Sequence, residues 1–293
     1  MILNKIQNTH FSQSETEIIR YVLGRGEEIE NMTVQQIANE TYTSAPLLVR
    51  IAKKLGFDGW NDFKKAYLEE LRYLYQNQEV DASVPFVVTD PAFAIAHNIL
   101  TLKEDTVRDT RSLLKHDDLN KALSIIRKTQ VIDVYTTVRF QVPAQSFMQK
   151  MFRIKRHVNV SGITAETMFM AGMSEPAHAA IVISYSGETP ILLKAVKKLK
   201  DKRTPIIAIT GISQSSLSRL ADVSLRISSR EMLNTKIADF ASLESVNTLL
   251  DILYACVFSF DYDKNIDRVF KAASEMDDRY AEDEFIVEKN REG

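Results

Sequence analysis

The run Ala179-Ala180-Ile181-Val182-Ile183-Ser184 constrains this chain most. It is apolar without alternation, as expected of a strand in the middle of a parallel sheet covered on both faces. The next six residues narrow the choice further. Tyr185-Ser186-Gly187-Glu188-Thr189-Pro190 reads as a turn with proline at the start of a helix, and Leu193, Val196 and Leu199 continue a helical stripe. Further short apolar runs at 131–135, 158–160, 205–209 and 223–227 alternate with helical patterns, among them one through Phe147, Met151 and Ile154. This alternation predicts a doubly wound parallel α/β sheet over 130–260.

Sheets of this kind bind ligands at the carboxyl ends of their strands, where the 184–189 turn falls. Its backbone amides and the positive helix end favour an anion. Gly187 permits close approach, and Ser184, Ser186 and Thr189 add hydroxyl donors beside Tyr185. An N-capping Ser/Thr cluster in an ordinary strand-to-helix turn fits the same residues.

Residues 1–78 have another texture, consecutive short helices. Ile18, Ile19, Val22 and Leu23 form one apolar stripe. Thr33-Val34-Gln35-Gln36 is a capping box. Ser44 is a second N-cap, and Leu48, Ile51, Ala52 and Leu55 repeat at helical spacing until Gly56, where a left-handed residue ends the helix. Two short helices crossing at the small Ala38 make a helix-turn-helix pattern. Removing the core stripe leaves Ala45, Leu47, Val49, Arg50, Lys53 and Lys54 toward solvent, with Ser44 at the helix start; Lys64 and Lys65 follow on the next helix. A short cationic face with a long base-reading Arg suits a major groove. The solvated face of a plain helical bundle fits it too.

Between these regions, 79–129 reads as a helical connector. Its first helix starts at Asp90-Pro91 with Ile95, Ile99 and Leu102 on one face. Its second follows Asp117 or Asp118 with Leu119, Leu123 and Ile126 inward. Residues 261–293 form a charged helix or tail whose last ten or so residues are expected to be disordered.

Composition bounds the rest. Nine glycines and seven prolines among 293 residues, with 45% hydrophobic content, indicate a helix-rich globular chain with a sizeable core. The net charge of −2 excludes a bulk polycation and leaves room for a small basic face. A single cysteine, Cys256, excludes a disulfide framework and a cysteine-based zinc site. His10, His97, His116, His157 and His178 show no ligand spacing, so no metal and no cofactor are expected. Residues 1–10 lack the apolar core of a signal peptide, and 249–260 is interrupted by Asp251. A soluble, cytoplasmic protein is expected.

Thr33-Val34-Gln35-Gln36-Ile37-Ala38, Thr43-Ser44, Val49-Arg50 and Lys53-Lys54-Leu55-Gly56-Phe57-Asp58-Gly59-Trp60, with Phe63-Lys64 behind, resemble the N-terminal domain of RpiR-type transcriptional regulators. Two positions depart from the family. Tyr42 stands where glycine is frequent, so the turn needs a left-handed non-glycine residue at a cost of about 1 kcal/mol. Leu47 stands where Thr or Ser is usual, exchanging a hydroxyl contact for apolar contact with a thymine methyl.

The 184–189 turn, Ile207-Ala208-Ile209-Thr210, residues 215–223 and Leu249-Leu250-Asp251-Ile252-Leu253 are similar to the sugar isomerase (SIS) domain, the usual partner of that N-terminus. The resemblance implies that Ser184, Ser186 and Thr189 hold the phosphate of a phosphorylated sugar, with Tyr185 and Gly187 in the same turn. It also offers Glu244 as a ligand-side residue on a late helix. The first strand-to-helix turn, 136–144, has neither the glycines nor the serine normal in the family. Its bulky residues narrow the approach to the backbone, and Arg139 either pairs with the phosphate or fills the pocket. The implied protein is a non-enzymatic regulator. It binds operator DNA as a homodimer or higher homo-oligomer, answers to a phosphosugar and has no membrane partner. Two alternatives remain, a phosphosugar isomerase with an N-terminal extension, and a regulator whose SIS-like domain only dimerises.

Overall fold

The computed structural model describes residues 2, 5–6, 9–75, 80–161 and 164–276. The tail beyond 276, including its expected disorder, lies outside the described residues.

The first unit contains α1 (Gln13–Arg25), a 3-10 turn (Gly26–Asn31), α2 (Val34–Glu40), α3 (Ala45–Lys54) and α4 (Trp60–Tyr75). Both starts of the helix-turn-helix behave as local chemistry demands. Thr33 and Gln36 close a reciprocal capping box at α2, while Ser44 is the N-cap of α3 without a side-chain bond. Gly56 has φ +88° just beyond α3. Tyr42 has φ +51°, the strained non-glycine turn that the sequence implies, and the residue is 98% exposed. Ile18, Ile37, Leu48, Ile51 and Phe63 are buried in one core. Leu23 is exposed, so the α1 stripe is narrower than its spacing suggests.

The connector supplies α5 (Ala92–Leu113) and α6 (His116–Lys128). The second unit comprises β1 (Val131–Tyr135), α7 (Gln141–Arg153), β2 (His157–Ser161), α8 (Thr164–Met173), β3 (His178–Ser184), α9 (Pro190–Asp201), β4 (Ile206–Thr210), α10 (Ser216–Leu220), β5 (Val223–Arg226), α11 (Phe240–Phe258) and α12 (Tyr262–Met276). All strand pairs are parallel, in the order β2-β1-β3-β4-β5.

The central run of β3 shows why it lacks polar alternation. Ile181 and Ile183, with Ile207 and Ile209 of β4, face the layer of α6, α7 and α11. Ala180 and Val182, with Ala208, face α9. Polarity is constant along the strand, and size alternates with its two-residue period. On α11, Val246, Leu249, Leu250 and Leu253 are buried in the first of these layers. This packing accounts for a stretch, Phe240–Ala273, that is long and apolar enough to cross a membrane by composition alone.

The connector departs from its expected stripe. Leu102 is buried, but Ile95 and Ile99 are half-buried, and the rest of the buried face of α5 is polar: Asp105, Thr106, Asp109 and Thr110. Arg230 explains it. Its Nε and Nη2 donate to the two Asp109 carboxylate oxygens at 2.6 and 3.0 Å, and Asp105 lies 3.6 Å from Nη1. Thr110 and Ser245 share a hydroxyl hydrogen bond of 2.7 Å. Hydrogen bonds therefore fasten α5 to the segment entering α11.

Candidate functional site

The strand order reverses between β1 and β3, which makes the carboxyl ends of these two strands the switch-point crevice of the sheet. A cavity of about 400 Å³ occupies that place, lined by Thr137, Val138, Arg139 and Phe140 after β1 and by Ser184, Tyr185, Ser186 and Thr189 after β3, with Leu233 across it. A larger cavity, about 700 Å³, adjoins it. It shares Tyr185, Ser186, Thr189 and Leu233 and extends to Lys5, Thr9, Lys54 and Leu55 of the first unit. The topology favours the smaller cavity as the centre of the site, with the larger one as its extension.

The β3–α9 turn is held from within. Ser184 and Thr189 share a hydroxyl hydrogen bond of 2.9 Å, and the Gly187 N–H donates to the Ser184 carbonyl and hydroxyl, each at 3.2 Å. Gly187 has φ +68°, and a Cβ there would lie 2.1 Å from Ser215 Oγ and 2.9 Å from Thr210 Oγ1. Close packing on the neighbouring turn, as well as the left-handed backbone, demands glycine. Thr189 is the N-cap of α9 without a side-chain cap bond, followed by Pro190. The first-turn amides of α9 thus combine with the Ser186 and Thr189 hydroxyls in a neutral cradle suited to an anion. Glu188 lies on the side of the larger cavity, its carboxylate accepting from the Ser216 N–H at 2.7 Å.

The other sequence candidates divide. Arg139 reaches the smaller cavity, and its Nε lies 3.1 Å from Asp239 Oδ2. Its guanidinium is thus on the crevice wall with a carboxylate partner. Glu244 pairs with Lys103 at 2.8 Å on the α5–α11 contact and lines neither cavity. This removes the geometric basis for its ligand-side role.

Sequence reading missed the 228–239 segment, which contributes Ser229 and Leu233. Glu231, fully buried, organises it. Its carboxylate accepts from the Ala241 N–H, from the Ser242 N–H at 3.1 Å and from the Ser242 hydroxyl at 2.7 Å, while Lys236 Nζ lies 2.8 Å away. Lys236 also faces Asp239 at 2.7 Å and lies 4.7 Å from the centroid of the Tyr185 ring. The Tyr185 hydroxyl donates to the Glu231 carbonyl. The run Ser228-Ser229-Arg230-Glu231 directly after a strand was the available signal.

On α3, Ser44, Val49, Arg50 and Lys53 are exposed, and Ala45 is half-buried. Leu47 packs partly onto the helical core. Lys54 pairs with Glu15 at 2.9 Å and lies 5.3 Å from the Phe11 ring centroid. The Glu15 carboxyl is held below its usual pKa, first by the Ser12 backbone N–H and then by Lys54. Lys64 donates to the carbonyls of Glu30 and Met32 at 3.0 and 3.1 Å, and Lys65 is exposed. The solvent-facing cations of the helix-turn-helix therefore centre on Arg50 and Lys53.

Fold and crevice define a two-domain class, a helix-turn-helix unit joined to a doubly wound sheet with a switch-point pocket. Residues 1–72 match the helix-turn-helix domain of the rpiR family, and residues 125–255 match the SIS domain. The chain belongs to the RpiR-type transcriptional regulators that carry a SIS domain. Over 92% of its length it is 25% identical to an uncharacterized HTH-type transcriptional regulator, TTE0211, of Caldanaerobacter subterraneus subsp. tengcongensis, covering 93% of that protein. It is 24% identical to the uncharacterized HTH-type regulator YbbH of Bacillus subtilis, over 85% of this chain and 87% of that one. Among solved structures, the Vibrio vulnificus NanR protein complexed with ManNAc-6P shares the fold with a TM-score of 0.60 and 21% identity. The match covers 94% of this chain and 97% of that one.

Proposed function

We propose that this regulator binds a palindromic operator as a homodimer in the cytoplasm, and that a phosphorylated sugar at the SIS crevice modulates that binding. The observation that carries the reading is the cradle of Ser184, Ser186 and Thr189 around Gly187 at the switch point. Its neutral donors and free helix amides suit a phosphate group. The NanR neighbour, solved with a phosphorylated sugar, supports the ligand class. Arg50 and Lys53 are the principal DNA contacts in this reading, with Ser44, Ala45, Val49 and the half-buried Leu47 at the groove face. Lys54 serves DNA only by leaving Glu15.

The working units are residues 1–78 for DNA, 79–129 as connector and 130–260 for ligand, with 261–293 as tail. An isomerase needs a base poised at the sugar. Glu188 is engaged by Ser216 and Glu244 by Lys103, which supports a binding role without turnover. Bulky residues at 136–141 and the Arg139–Asp239 pair reshape the sugar half, so the sugar preference differs from that of glycine-loop relatives.

A thermal-shift screen of hexose and pentose phosphates tests this directly, because a ligand at 100 times its Kd stabilises by about 2.7 kcal/mol. The expected result is a shift with at least one phosphosugar that Ser186→Ala combined with Thr189→Ala removes. If no phosphosugar at millimolar concentration moves the melting temperature, the SIS domain is a dimerisation scaffold.

A further inference from the structure

The 184–189 turn separates two lobes of one crevice. The lobe at the switch point is walled by Arg139 and Phe140. The other opens between the domains, with Ser186, Thr189 and Ser213 on one side and Lys5, Lys54 and Leu55 on the other. On this second side the turn offers neutral hydroxyls and the Glu188 carboxylate, and the SIS-domain guanidinium behind it, Arg226, is engaged by the Gly211 and Ser213 carbonyls. Among the described residues, the cations lining this lobe are Lys5 and Lys54, both from the DNA-binding domain.

Lys54 is engaged by Glu15 and lies over Phe11. Lys5 is differently placed. It is half-buried, with the Leu55 carbonyl 3.4 Å from its Nζ and the Phe57 ring centroid at 5.6 Å. Among the described residues no carboxylate lies within ion-pair range of it. Burial pulls its ammonium pKa below the usual value, Arg219 adds to that, and Glu188 and Glu70 oppose it. A desolvated cation facing a hydroxyl-lined cavity is an incomplete site, and an anion between the two walls completes it.

We infer that Lys5, from the DNA-binding domain, is a direct ligand of the effector's phosphate, so that the phosphosugar is clasped between the two domains. This rests on the phosphosugar reading above and adds a residue and a consequence to it. Lys5 leans on the carboxyl end of α3 through Leu55, so an anion that engages its ammonium also fixes the end of the DNA-reading helix against the SIS domain. The Ser213 hydroxyl donates to Glu70 of α4 at 3.3 Å along the same seam. The ligand class selected is a phosphomonoester; a neutral sugar gains nothing from Lys5.

Calorimetric titration of the full-length protein tests this, using N-acetylmannosamine 6-phosphate, glucose 6-phosphate and inorganic phosphate as probes. Wild type, Lys5→Met, Lys5→Arg and the Ser186→Ala/Thr189→Ala pair are compared, with Lys5→Gln in place of Lys5→Met should the latter melt early. Lys5→Met is expected to bind the phosphosugar about 10- to 100-fold more weakly, the effect of losing one charge-assisted hydrogen bond. Lys5→Arg, which retains the charge, stays closer to wild type. Ligand is also expected to slow hydrogen exchange at the Leu55 and Phe57 amides in wild type and to leave it unchanged in Lys5→Met. Loss of binding in the Ser186/Thr189 pair with wild-type affinity in Lys5→Met overturns the inference and leaves the phosphosugar reading standing. If neither these probes nor any phosphosugar of the thermal-shift screen binds the wild-type chain, both fall.

Discussion

Glu231 holds the wall of the crevice to the core, and replacing it with alanine should be among the costlier single changes in the SIS domain. Its carboxylate receives two α11 amides, the Ser242 hydroxyl and the Lys236 ammonium, all in a fully buried position. Removing one member of a buried ion pair typically costs about 3–5 kcal/mol, because the remaining charge is stranded. Lys236 keeps Asp239 at 2.7 Å, so the loss belongs at the lower end, about 3 kcal/mol. Glu231→Gln retains an acceptor oxygen for the amides and loses only the charge, which sets its cost at roughly 1–2 kcal/mol. The assay uses a feature of the composition. The sole tryptophan, Trp60, is buried in the helical N-terminal core, so its fluorescence follows that domain while far-ultraviolet circular dichroism follows the whole chain. In urea, Glu231→Ala should move the circular dichroism transition to lower denaturant and leave the Trp60 transition nearly in place. Alanine and glutamine variants of equal cost, or an alanine cost under about 0.5 kcal/mol, refute the argument that a buried charge organises this wall.

The geometry sets three further outcomes. Gly187→Ala combines left-handed strain of about 1 kcal/mol with a Cβ 2.1 Å from Ser215 Oγ, so it should lower the melting temperature and abolish the ligand-induced shift. Arg50→Ala should weaken specific operator binding by about 1–3 kcal/mol, whereas Lys53→Ala should weaken all sequences evenly and flatten the salt slope, both read by fluorescence anisotropy. Lys54→Ala should affect DNA less than either; unchanged affinity in all three moves the recognition surface elsewhere. Glu15 has a folded pKa below its unfolded value, so its stabilisation is present above the unfolded pKa and is lost as pH falls through the folded one. Acid titration of Trp60 fluorescence should therefore show an unfolding step below the ordinary carboxylate range that is shallower in Glu15→Gln.

The sequence was most legible where structure depends on neighbours a few residues apart. Capping at Thr33, the helix stop at Gly56 and the strained turn at Tyr42 are local chemistry, and each is found as read. The apolar strands were legible because burial on both faces leaves a run no other element explains as well. The missed parts depend on partners distant in sequence. Asp105 and Asp109 look like the solvated face of a connector helix until Arg230, 121 positions after Asp109, neutralises them. Glu231 and Lys236 look like loop charges until the fold removes them from water. Lys5 sits in a segment whose local pattern carried no signal. For the same reason Glu244 resembled a ligand residue by its position on a late helix, when its partner Lys103 is on the connector.

The internal bonding of the β3–α9 turn has a kinetic consequence. Ser184 already holds Thr189, Gly187 is locked against Ser215, and Glu188 is tied to the start of α10. Little backbone ordering remains to be done when a ligand arrives, so most of the entropy cost of forming such a receptor has been met during folding. The encounter with this turn should then grow linearly in rate with effector concentration, the fixing of α3 through Lys5 following it, and differences among sugars should appear mainly as differences in residence time.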